Sequence, residues 1–109
     1  PDGYAFLEEL DGCLADEISI ECAQPALKMH LLEGLPSKKI HVGVIDLRDT
    51  SIETPETVAA RIEAALEFMP EDRLVVAPDC GMKYLAREVA YGKLSNMVKG
   101  RDLVLGGSV

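Results

Sequence analysis

Apolar and polar positions switch repeatedly between a helical and a strand period along this 109-residue chain. Phe6, Leu7, Leu10, Cys13 and Leu14 recur at helical spacing behind Asp2, a capping residue, and predict a first helix. DEISIEC (residues 16–22) reads as a short strand, and PALKMHLLEGL (25–35) as a helix stopped near Gly34 and Pro36. IHVGVIDLR (40–48) is a second strand, rich in β-branched residues. Thr54 then fits an N-cap and Pro55 the first helical position. Val58, Ile62, Ala65, Leu66 and Met69 form one stripe of that helix, and Pro70 ends it. RLVVAPDC (73–80) is the third strand. A last helix is predicted over 86–99, with Val89, Leu94, Met97 and Val98 as its apolar set, and DLVLGG (102–107) fits a fourth strand.

Strand, helix, strand, helix is the pattern of parallel strands joined by helical crossovers. The expected class is α/β, either an open three-layer sheet or part of an eightfold barrel. Three or four strands cannot close a barrel, and the chain opens on Pro1 rather than Met. A piece of a longer protein is therefore expected. Neither G-x-G-x-x-G nor G-x-x-x-x-G-K-S/T occurs, so nucleotide binding by those routes has no support.

Composition narrows the partners. The formal charge of −8 opposes binding to nucleic acid, whose phosphates would be repelled. No apolar run reaches the roughly 20 residues that span a bilayer, and no secretory leader opens the chain. Three cysteines without a close pair do not make a disulfide framework. A cytoplasmic protein with reduced thiols is expected.

In parallel α/β folds chemistry collects where strands end. The three strand ends are SIEC with Glu21, IDLR with Asp46 and Arg48, and APDC with Asp79 and Cys80. Alternation puts Ser19 and Glu21 opposite Ile18, Ile20 and Cys22, so Glu21 should face a barrel interior near its mouth. Leu74, Val76, Pro78 and Cys80 share a face unless Pro78 shifts the phase. Glu21 and Cys80 are thus expected at one mouth, on neighbouring strands. Carboxylate and thiolate are both zinc ligands, but a four-coordinate ion needs more donors. His41 starts its strand and His30 lies in a helix, so both read as structural or solvent-facing. Cys13 and Cys22 read as packing residues. Asp46 and Arg48 fit either a structural pair or an anion-holding Arg with an orienting Asp.

DEISIE, HVGVIDLRDTSIETPETVAARIEAALEFMPEDRLVVAPDCGMK and the helix after it resemble the C-terminal part of cobalamin-independent methionine synthase and its close relatives. The likeness runs over residues 15–99, and PDCG after a P-x-x-R-L strand start is its most specific element. The resemblance implies a TIM-barrel catalytic domain that transfers a methyl group to the thiol of homocysteine, with zinc held by a His-x-Cys pair, a Glu and the Cys of PDCG. By motif, Glu21 and Cys80 match the last two of those ligands. The His-x-Cys pair is absent here and is expected upstream, so this segment alone should bind zinc weakly or not at all. Where the family's DIHS carries a proton-donating histidine, this chain has DLRD, which places Arg48 there. Arginine is effectively always protonated and donates a proton poorly.

Three functions compete at this point. The first is a methionine synthase-type methyltransferase acting on homocysteine and a methyl donor. The second is a related zinc-dependent alkyltransferase with another thiol acceptor such as coenzyme M, whose anion Arg48 would bind. The third is a non-catalytic α/β piece that assembles with other strands, or with itself, through exposed edges.

Overall fold

The computed structural model describes residues 7–23 and 29–106. Three parallel strands form one sheet: β1 (Glu17–Ile20), β2 (Lys39–Ile45) and β3 (Leu74–Pro78), in spatial order β1-β2-β3. A short helix α1 (Leu7–Leu10) precedes β1, and a 3₁₀ segment (Met29–Gly34) lies between β1 and β2. Helix α2 (Pro55–Leu66) crosses over from β2 to β3, and α3 (Arg87–Val104) follows β3. The three strands and the helices after β2 and β3 come in the predicted order, and both strand pairs are parallel.

Strand periodicity decides which side is covered. Ile20, Cys22, Ile40, Val42 and Val44 are buried, and they pack with Val58, Ile62 and Ala65 of α2. Ser19 is exposed, and Glu21 and His41 are partly so. In β1 the covered face lies under helices and Ser19 on the other face is exposed, as the alternation of residues 18–22 predicted, whereas β2 is buried on both sides from Val42 to Ile45. Helix α2 begins as its sequence dictates: Thr54 Oγ1 accepts from the Thr57 amide at 3.1 Å, and Pro55 stands at its first position.

Helix α3 uses a different stripe from the expected one. Leu94 and Val98 are 39% and 42% exposed, whereas Lys93 and Gly100 are fully or nearly buried. Lys93, Met97, Gly100 and Val104 follow helical spacing, and that row turns inward. A side chain on Gly100 would lie 2.5 Å from Val58 Cγ1 and 2.9 Å from the Pro55 carbonyl, so the glycine permits the close approach of α2 and α3. Lys93 defeats a reading by hydropathy because its charge is satisfied inside. Its Nζ donates to the carbonyls of Asp46 and Ser51 and to Glu53 Oε1, each at 2.9 Å.

Two further expectations are corrected, and others fall outside the described residues. The fourth strand at 102–107 does not form, because α3 continues through Val104; a short apolar run looks the same in either state until packing assigns it. The first helix ends at Leu10, so Cys13 and Leu14 are exposed rather than packed. Asp2 and Phe6 lie outside the described residues, as does the first part of the helix expected at 25–35, whose described part is the 3₁₀ segment carrying His30.

Candidate active site at the carboxyl ends of the strands

The carboxyl ends of the strands are built around one buried carboxylate. Asp79 is the first residue after β3 and only 5% exposed. Its Oδ1 accepts from the amides of Cys22 and Ala23, both at 3.1 Å, just beyond β1. To reach them it crosses β2 at Gly43, where a methyl group would overlap Oδ1 and come within 3.0 Å of the Asp79 Cα. The ladder is irregular at the same level. Gly43 pairs with Ala77 and Ile45 with Pro78, so β2 carries one extra residue. Pro78 has no amide to give, and the Asp79 amide resumes the ladder by donating to the Ile45 carbonyl at 3.1 Å. The irregularity therefore lies in β2, opposite Pro78, rather than in the phase of β3.

Glu21 is the first residue beyond β1 and half-buried, and Cys80 is the second residue beyond β3 and exposed. Both stand at the same end of the sheet. They are not on neighbouring strands, because β2 runs between β1 and β3. That corrects the expected adjacency. At a strand spacing near 4.8 Å, the ends of β1 and β3 lie roughly 10 Å apart across the sheet. Cys22 packs instead: its thiol is buried, donates to the Ile20 carbonyl at 3.5 Å, and is pushed up to about 12 by burial and by the nearby Asp79 charge. Among the described residues no cluster of three or more His, Cys, Asp or Glu side chains has metal-binding geometry. Glu21 and Cys80 fit the donor chemistry of zinc, but as half of a set.

The loop after β2 is held by a second polar centre. Glu53 Oε2 accepts from the Asp46 amide at 2.8 Å and from Arg61 at 3.1 Å, while Oε1 accepts from Lys93. Burial raises the Glu53 pKa, but the hydrogen bonds from Lys93, the Asp46 amide and Arg61 outweigh it, and the net direction is downward. Asp46 Oδ1 accepts from the Arg48 amide at 2.9 Å, and the Arg48 Nε lies 4.0 Å away. Asp46 thus closes its own loop, and the Arg48 side chain is 67% exposed. His41, at the other end of its strand, pairs with Glu17 at 2.6 Å, and that pairing lowers the Glu17 pKa.

Gly43, Lys93 and Glu53 were not singled out by sequence, and Asp79 was named only as a polar residue at a strand end. A polar residue held between a strand-ending proline and a cysteine was the available signal for Asp79.

Parallel β/α units with polar residues at the carboxyl ends of their strands define the class as α/β, a pattern shared by doubly wound sheets and TIM barrels. The sequence profile of the family described as "Cobalamin-independent synthase, Catalytic domain" matches residues 4–101, and the chain belongs to that family. It is 34% identical to a methionine synthase of Thermococcus kodakarensis and 39% identical to one of Sulfurisphaera tokodaii; each alignment covers 93% of this chain and 30% of the relative. A B12-independent methionine synthase from Shewanella sp. W3-18-1, solved with selenomethionine, superposes with a TM-score of 0.88 at 37% identity over 92% of this chain and 29% of that one. The chain therefore spans about three-tenths of the length of these relatives.

Proposed function

We propose that residues 1–109 are the C-terminal part of the TIM-barrel catalytic domain of a methionine synthase-type methyltransferase. The whole enzyme moves a methyl group onto the zinc-activated thiol of homocysteine and forms methionine in the cytoplasm. The observation that carries this reading is the placement of a carboxylate, Glu21, and a thiol, Cys80, at the carboxyl ends of β1 and β3 in a chain of this family. Selenomethionine in the solved relative is a selenium analogue of the product and supports the same reading.

Glu21 and Cys80 supply two anionic donors, and the remaining ligands come from the part of the relatives' length that this chain does not span. Zinc, when bound, favours the thiolate of a substrate thiol at neutral pH. Arg48 stands exposed beside this mouth and holds a substrate anion rather than a transferable proton. For that reason a relative with an anionic thiol acceptor such as coenzyme M is the second reading.

The test is metal analysis of the full-length protein. The wild type should carry about one zinc per barrel, and Cys80→Ser should lose most of it. Unchanged zinc in the variant overturns the assignment of Cys80. Assays with homocysteine and with a sulfonated thiol separate the two acceptors, and zinc without turnover of either leaves the non-catalytic assembly as the function.

A further inference from the structure

We propose that Asp79 is the positioning residue that couples Glu21 to Cys80. This inference rests on the metal-site reading above and adds the device that sets the distance between its two ligands. The covalent chain makes the connection direct. Glu21 immediately precedes Cys22, whose amide binds Asp79 Oδ1, and Cys80 immediately follows Asp79.

A coupling of this kind is required because hydrogen bonding within the sheet stops short of the ligands. The β1–β2 ladder pairs residues up to Ile20 with Val42, and the β2–β3 ladder ends at Pro78. Glu21 and Cys80 both lie past those last rungs, on strands that never touch each other. The Asp79 carboxylate replaces the missing rungs with two bonds of 3.1 Å that pass directly from the end of β3 to the end of β1. Carboxylate-to-amide bonds are the stronger, charge-assisted kind. Burial of Asp79 excludes competing water, and the Asp79 amide anchors the same residue to Ile45 of β2. Gly43 completes the arrangement, since any side chain there would occupy the path of the carboxylate. Partners that orient metal ligands without binding metal commonly change metal affinity by about 10–100-fold when removed.

The test uses the full-length protein loaded with zinc, and with Co(II) as a spectroscopic probe. Asp79→Ala should weaken zinc binding by about 10–100-fold in chelator competition and shift the thiolate-to-cobalt charge-transfer and d–d bands, which report ligand geometry. Asp79→Asn keeps an oxygen that accepts both amides and should restore most of the affinity and the wild-type spectrum. Gly43→Ala leaves Asp79 in the chain but blocks its path, and should reproduce the Asp79→Ala spectrum. Circular dichroism identifies any variant that fails to fold, in which case the remaining two decide the matter. A folded Asp79→Ala protein with wild-type zinc affinity and cobalt spectrum overturns the proposal, as does a folded Asp79→Asn protein as impaired as the alanine variant. Failure of the metal-site reading itself looks different: the wild-type protein would then show no charge-transfer band that Cys80→Ser removes.

Discussion

Replacing Lys93 with methionine is expected to loosen the loop after β2 more than any surface change could. Lys93 is wholly buried, and its ammonium makes three bonds of 2.9 Å, two to carbonyls and one to Glu53. Methionine keeps much of the volume and removes the charge. Removing one partner of a buried ion pair typically costs about 3–5 kcal/mol, because the other charge is left behind. Here Arg61 and the Asp46 amide still bind Glu53, so its charge is not stranded. The lysine's own desolvation cost also disappears. The expected loss is therefore at the lower end, about 3 kcal/mol. Hydrogen exchange on the protein carrying this segment reads the effect locally, with faster exchange at the Asp46, Arg48 and Ser51 amides. The double variant with Glu53→Gln should recover part of the loss, with a coupling of about 1–3 kcal/mol between the two sites. A Lys93→Met protein within about 0.5 kcal/mol of wild type, the range of ordinary surface changes, would refute the reasoning.

Other consequences follow from particular contacts. Gly100→Ala gains roughly 1 kcal/mol of helix propensity but drives a methyl group into Val58 and the Pro55 carbonyl; the overpacking cost of about 1–3 kcal/mol should dominate and lower the thermal midpoint. Thr54→Ala should destabilise α2 by about 1 kcal/mol through loss of the cap to Thr57, measured by denaturant titration. Glu53 has a depressed folded-state pKa, so its contribution is present above its unfolded value of 4.5 and is lost as pH falls through the lower folded value. Acid titration of wild type and Glu53→Gln should accordingly converge below pH 4.5, and curves that stay parallel there would contradict this sign. In native protein, alkylation should spare buried Cys22 and reach exposed Cys13 and Cys80, with bound zinc protecting Cys80 alone.

The local pattern by itself determined much of this protein. Alternation at residues 18–22 dictates a half-buried strand, because one buried and one exposed face leave a period; the cap and proline at 54 and 55 start a helix, and the β-branched run at 40–45 marks a strand buried over most of its length. Repetition of strand and helix then made the sheet parallel, and polar residues at each strand end marked the site-bearing edge. Tertiary structure alone decided that β2 separates Glu21 from Cys80, that Lys93 turns inward while Leu94 turns outward, and that Asp79 reaches over Gly43 to the end of β1. Those outcomes depend on where partners lie across the fold. A buried lysine and a buried aspartate look like solvent-facing charges until the carbonyls and amides that satisfy them, up to 57 residues away, are brought alongside.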